Sequence, residues 1–330
     1  MTERGPVSAG AGLGAEPRLG GLVGAGALSA LLFGTAGLVP ALAPLSLFAP
    51  LPLAVNRLRA GASGAWLAAA LAAALVAASS TPAAAGRYLL VLATPGLLLG
   101  ESLARGRGLL RGCAWAFAAL VAGIGAGLAF ASEAMAKLVL VPVETLRSDA
   151  FLAELKTGGL PPERIAEFTE QVATLRDALA VVYPGILVIL AAMLVAVNAA
   201  VLRLYLLRRD PGWLEDGEFE RVRFSLGLVA AFVLSGAAVA LPLARPAAYN
   251  LLLVVAFFFA LQGLAVVAFY ARRLAGPPLL RAAVVVLVLA NPWAPQILAL
   301  LGLFDNWFDF RRWAEPPPGE GEGTRPGRQA

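Results

Sequence analysis

Along the 330 residues, apolar and polar positions separate into long blocks instead of alternating. Windows free of Lys, Arg, Asp and Glu fall near 20–38, 40–56, 62–80, 86–103, 112–132, 179–202, 224–244, 247–271 and 280–304. A hydrocarbon core about 30 Å thick is crossed by about 20 helical residues, and in lipid a helix satisfies its own backbone polar groups. The pattern predicts an all-α, polytopic transmembrane helical bundle of eight or nine spans. Residues 19–56 carry no charge over 38 positions, too long for one crossing even when tilted. Pro40, Pro44, Pro50 and Pro52 supply the break, so a tight hairpin of two spans is expected there. The first apolar segment exceeds the 7–15 residues of a cleavable signal core and is read as a retained span.

The ninth segment is interrupted by Asn291-Pro292-Trp293-Ala294-Pro295. Each proline removes a backbone hydrogen bond and pushes its predecessor away from helix. That segment either crosses as a broken helix or re-enters and returns the tail to the side it came from. The organisation expected is a disordered cytoplasmic N-terminus over 1–18, spans one to five over 19–132, and a polar helical insertion over 133–178. Spans six to nine with a closing amphipathic segment follow over 179–313, then a disordered tail over 314–330, rich in Pro, Gly and charge.

Within 133–178 five basic and eight acidic residues give a net negative connection. Gly158-Gly159 followed by Pro161-Pro162 marks one helix end and the next helix start, which predicts an extracytoplasmic helical hairpin. Ile165, Phe168, Val172, Leu175 and Leu179 recur at three and four residues, forming one narrow apolar seam. The seam calls for a cover: the first helix of the hairpin or the membrane surface, a partner or second copy, or a cavity beneath it. Pro184 is expected to kink the helix that follows.

Composition narrows the chemistry. Hydrophobic residues make up 59% of the chain and charged residues 14%, against about 25% charged in a soluble domain. There is no His, and Cys113 is the only cysteine, which excludes disulfides, zinc clusters and an imidazole base. Gly61-Ala62-Ser63-Gly64 imitates a nucleophilic serine loop but has no base to activate it, and there is no Gly-rich phosphate loop. The chain is expected not to be an enzyme, and no cofactor or metal is called for.

The net charge of +5 does not form a nucleic-acid-binding face, so no nucleic acid is expected. The arginines instead cluster at span ends. With the N-terminus inside, the inner loops hold thirteen arginines and the short outer loops only Arg87 and Arg245. The positive-inside bias therefore predicts a multi-pass protein of the bacterial inner membrane with a cytoplasmic N-terminus.

Polar side chains inside spans are site hypotheses by default, because lipid disfavours them. Asn250, Gln262 and Asn291 are the ligand-cavity candidates. At 1.5 Å of rise per residue, Asn250 sits about 5 Å below its outer boundary and Gln262 about 20 Å deeper. Asn291 falls near mid-depth beside the proline break. Ordinary interhelical hydrogen bonding is the competing explanation for each. Asn198 is also polar within its span. Glu101 should pair with Arg105, and Glu133 with Lys137, along one helix face. Gly20, Gly24, Gly123, Gly127 and the Ala runs allow close helix approach, and a homo-oligomer is left open.

In the closing segment, Asp305, Trp307, Asp309, Arg311 and Arg312 are candidates for an interface or partner-docking surface. Leu303, Phe304, Trp307 and Phe308 share one helical side, where aromatics favour the membrane interface. Asp305 and Asp309, four residues apart, repel unless a cation intervenes, and Arg312 is placed to meet Asp309.

Four local patterns resemble the YybS-like family of bacterial polytopic membrane proteins. They are Pro50-Leu51-Pro52-Leu53, Pro95-Gly96-Leu97-Leu98-Leu99-Gly100, Leu261-Gln262-Gly263-Leu264-Ala265-Val266, and Gly302-Leu303-Phe304-Asp305-Asn306-Trp307-Phe308-Asp309-Phe310-Arg311. That family is distantly similar in plan to the substrate-binding subunits of energy-coupling-factor transporters. The resemblance implies a small-molecule-binding subunit of a transporter that works in the lipid bilayer with a separate membrane coupling protein and ATPase. The alternative is a non-transporting membrane scaffold or regulatory partner protein.

Overall fold

A computed structural model describes residues 19–214, 219–274, 286–288 and 290–314. Among the described residues every regular element is helical. Two compact units divide at residues 216 and 217. Of the ends expected to be disordered, 1–18 and all of 314–330 except Ala314 lie outside the described residues, as do Arg281 and the opening of the ninth apolar segment; Ala314 ends a 3-10 turn.

Among its described residues the first unit holds seven α-helices. Helix α1 covers Leu19–Leu38, a 3-10 helix covers Pro40–Phe48, and α2 covers Pro50–Ser79. Helices α3 (Pro82–Tyr88) and α4 (Thr94–Ala104) are joined by a π-helical turn at Leu89–Ala93. Then come α5 (Leu109–Thr145), α6 (Asp149–Thr157) and α7 (Pro162–Arg209). The π turn has a local cause. Pro95 lacks an N–H, and the wider turn just before it lets the Thr94 backbone N–H reach back five residues to Leu89 O.

Extended Val39 separates α1 from the 3-10 helix, as the prolines require. The segments expected over 40–56 and 62–80 are not parted by a loop. They form one hydrogen-bonded run broken at Gly61, with φ 76° and ψ −174°, a region open essentially to glycine. The Asn56 side-chain amide donates to Gly64 O at 2.9 Å. In a straight helix those residues would stand about 12 Å apart along the axis, so the chain folds back at Gly61 into two arms.

The arms pack through close backbone approach. A Cβ on Gly96 would lie 2.3 Å from Pro50 O, one on Gly100 2.7 Å from Ala54 O, and one on Gly26 2.7 Å from Ala68 O. Where α1, α2 and α3 meet, fully buried Ser29 donates to Ala49 O at 2.6 Å and shares a hydrogen bond with the Tyr88 hydroxyl, also at 2.6 Å. These residues sit within an Ala- and Leu-rich core that includes Leu53, Ala68, Ala72 and Leu92.

The hairpin expected over 133–178 is a helical excursion. Helix α5 carries a non-helical residue, Ala131, and runs on to Thr145. Ser148 caps α6 through Phe151 N, and α7 starts at Pro162. Of the predicted seam, Ile165 and Val172 are buried, Phe168 packs on Phe151, and Leu175 stays exposed. The two helices of the excursion thus cover part of it. Arg176 meets Glu144 across α5 and α7 at 3.4 Å. Helix α7 continues through Pro184.

The second unit contains α8 (Leu226–Ala238), α9 (Arg245–Arg273) and α10 (Ala294–Phe308), flanked by 3-10 turns at Phe219–Arg221 and Phe310–Ala314. Turn residues 290–293 precede α10, so the proline-rich interruption does break the last segment.

Among the described residues six helices are long and apolar enough to cross a membrane. Of the expected eight or nine spans, those over 40–56 and 62–80 fall in one run that folds back at Gly61, the one over 224–244 yields α8 of only 13 residues, and the ninth lies partly outside the described residues, its later part forming α10 of 15 residues.

Candidate functional site

The deepest polar cluster of the second unit joins two sequence patterns 43 residues apart. Gly263 on α9 and Gly302 on α10 lie in direct backbone contact: a Cβ on Gly302 would fall 1.9 Å from Phe259 O, and one on Gly263 2.0 Å from Leu298 O. This approach brings Gln262 and Asp305, both fully buried, to 3.0 Å, with the Gln262 amide donating. The Asp305 carboxylate also accepts from Arg311 Nη1 at 2.8 Å and from Phe310 N at 3.2 Å.

Gln262 Oε1 accepts from Phe224 N at 3.0 Å, and Arg311 Nη2 donates to Val222 O at 2.9 Å. Arg223 donates to the Asp305 and Asn306 carbonyls at the end of α10, where cations suit the helix dipole. The segment 222–224 is thereby pinned across α9 and α10. Arg311 Nε is left buried without a partner. Apart from that one donor, the cluster's donors and acceptors are turned on one another.

The cavity candidates therefore separate. Gln262 is committed to this cluster. Asn250 donates to Pro246 O, one turn back on its own helix, at 2.7 Å. Asn291 is exposed, and its Oδ1 accepts from Trp293 N in the turn before α10. The structure does not bring these three side chains together.

The docking candidates divide as well. Asp305 and Arg311 are buried against each other and offer no free surface, whereas Trp307 and Arg312 are exposed. The cation that meets Asp309 is Arg223, at 3.4 Å, in place of the expected Arg312. The cause is backbone geometry. Asp309 takes a left-handed conformation, φ 43° and ψ 64°, which ends α10 and removes the helical spacing on which the Arg312 pairing depended. The pairs Glu101–Arg105 and Glu133–Lys137 form as expected, and Glu101 also holds Arg57 from α2.

Sequence reasoning missed one opening in the first unit. Within the first unit, α1, the first arm of α2 and α7 bound a cleft of about 770 Å³. Gly21, Gly24 and Leu28 line it from α1, Leu51 and Val55 from α2, and Val201 from α7. The added space follows from side chains: a Cβ on Gly21 or Gly24 would meet nothing within 4 Å. Asn56, Arg59 and Tyr205 are its polar members. Arg59 donates to the Tyr205 hydroxyl, and its guanidinium lies 5.7 Å from the Tyr205 ring centroid. Behind the cleft, fully buried Asn198 donates to Leu47 O and Leu194 O, each at 2.8 Å, while its Oδ1 lacks a partner. A signal for the cleft existed in the pair of glycines facing an arginine at the end of the next span.

The family model described as predicted membrane protein DUF2232 matches residues 27–306, from α1 to the last turns of α10, and the chain belongs to that family. No curated protein and no solved structure matches it.

Proposed function

We propose that this integral membrane protein, a member of a family of predicted membrane proteins, is a small-molecule-binding subunit of a transporter, working with a separate membrane coupling protein and an ATPase. One observation carries the reading: the cleft of about 770 Å³ in the first unit. Its volume lies within the range of ligand sites, roughly 300–1,000 Å³, and its lining has the usual character of apolar walls with a few placed polar groups. The binding site moves accordingly from the later spans, where Gln262 is committed elsewhere, to α1, α2 and α7. The reading assigns no catalytic step to the chain.

The YybS-like resemblance supports the transporter plan, and its four patterns gain a structural meaning. Gly96 and Gly100 of the second pattern back onto Pro50 and Ala54 at the first, as Gly302 of the fourth backs onto Phe259 and Gly263 at the third. The arginine-rich loops support a bacterial inner-membrane location with the N-terminus in the cytoplasm. The test is purification in mild detergent with mass spectrometry of co-purifying proteins and small molecules. A coupling protein and an ATPase are the expected companions; their absence alongside unrelated soluble partners overturns the transporter reading.

A scaffold is the second reading, favoured by one feature. Phe304, Trp307 and Phe308 of α10 are 45%, 58% and 56% exposed on one side of the helix, an aromatic face suited to a headgroup region or a membrane partner.

A further inference from the structure

We propose that the cleft between α1, the first arm of α2 and α7 binds an anionic amphiphile, an acidic head group on an apolar chain. This deepens the ligand-binding reading above and rests on it. Of the 16 lining residues only Asn56, Arg59 and Tyr205 carry polar side chains; Arg59 bonds Tyr205 and stands within one turn of Asn56 on the same arm. Leu28, Leu32, Phe48 and Leu51 make the other end wholly apolar. From Leu51 to Arg59 the arm rises about 12 Å, so a head group held at Arg59 leaves that length of apolar wall for a chain. The absence of Cβ contacts at Gly21 and Gly24 gives the wall its width.

The charge at the polar end is unspent. Among the described residues no ion pair to Arg59 is formed; the Tyr205 hydroxyl and ring position its guanidinium without neutralising it. Glu101, the carboxylate that meets the same arm at Arg57, is already shared by Arg57 and Arg105. A planar guanidinium presents a donor fork that matches a carboxylate or a phosphate, and such charge-assisted bonds are the strong ones. A neutral chain would fill the apolar end and leave that fork unused. Phosphate and carboxylate heads share this chemistry, whether on a bilayer phospholipid or on a fatty acid arriving from water.

The experiment is native mass spectrometry of the full chain, released from nanodiscs containing equal parts phosphatidylglycerol and phosphatidylcholine, with a separate arm in which laurate is added to protein in neutral detergent. Retention of phosphatidylglycerol or of laurate in preference to phosphatidylcholine is the expected result, and which of the two is retained identifies the source. Loss of one charge-assisted contact predicts about tenfold weaker retention in Arg59→Gln, with partial recovery in Arg59→Lys. Gly24→Leu fills the cleft from a position with open space in front of it and should remove every ligand, with the helical signal unchanged.

Equal retention of the two phospholipids, or wild-type retention by Arg59→Gln, overturns the anionic class. If Gly24→Leu expels a neutral ligand that Arg59→Gln keeps, the cleft stands and the class falls. If Gly24→Leu retains every ligand as the wild type does, the binding reading falls with it.

Discussion

Asp305→Ala is the sharpest perturbation of the second unit. The side chain is fully buried and accepts three hydrogen bonds, from Gln262, Arg311 and Phe310. Removing it leaves a guanidinium only 9% exposed, with Nε already partnerless and Nη1 newly so. Breaking one side of a buried ion pair costs about 3–5 kcal/mol, because the remaining charge stays desolvated. That amounts to a shift in the folded-to-unfolded ratio of a hundredfold or more. Asp305→Asn keeps an acceptor toward Arg311 and should cost about 2 kcal/mol, within the range for hydrogen bonds to charged groups. The double variant Asp305→Leu with Arg311→Met removes both charges and should cost at least about 2 kcal/mol less than the two single changes summed, since apolar replacement of a whole pair is often close to neutral. Denaturant titration in mixed micelles, followed by fluorescence in a variant retaining Trp307 as its reporter, measures all of these. A single-variant loss below about 1 kcal/mol, or additivity within about 0.5 kcal/mol, would refute the picture of a closed, mutually dependent cluster.

Other predictions concern the backbone. Gly302→Val must drive α9 and α10 apart, because its Cβ would lie 1.9 Å from Phe259 O. We expect a loss of 3 kcal/mol or roughly more, at or beyond the top of the usual overpacking range, whereas Gly236→Ala, with open space before it, should change thermal stability by less than about 1 kcal/mol. Gly61→Ala should destabilise by about 1–3 kcal/mol, the cost of holding a side chain in a glycine-only region, read from the melting temperature of the detergent-solubilised protein. Tyr88→Phe removes one of the two partners of Ser29 and should cost about 1 kcal/mol by the same measurement. In a Cys113→Ser background, single cysteines placed within 105–111 should react with impermeant maleimide only from the cytoplasmic side and those within 144–170 only from outside; the reverse pattern would invert the proposed orientation.

Helix content and the strongest breaks were readable because they depend on local chemistry. Charge-free length marks the helices, and Val39, the 290–293 turn and the Pro162 helix start fall where proline acts on its own backbone. Gln262 was recognisable as a polar group inside a span, and Asp305 as a carboxylate that needs a cation beside it. Their pairing was not, because depth arithmetic along single helices places α9 and α10 independently, and the partnership arises from the contact between Gly263 and Gly302. Asp309 misled for a related reason: helical spacing fails at a residue that leaves the helix. The cleft was hidden because an arginine at a span end also reads as a topology marker, and two glycines carry little weight in a chain with 35 of them.

The reversal at Gly61 bears on how the protein is made. Only a few polar residues flank the bend, Asn56, Arg57 and Arg59 before it and Ser63 just past it, and no separate loop stands between the two arms of α2. The bend is closed by a side-chain bond from Asn56 to Gly64, so the pair has the build of a single object delivered to the bilayer in one step. Epitope or reporter insertions there should abolish biogenesis, because they part Asn56 from Gly64, while the turn at Gly106, which lies outside both α4 and α5, is the place to put them.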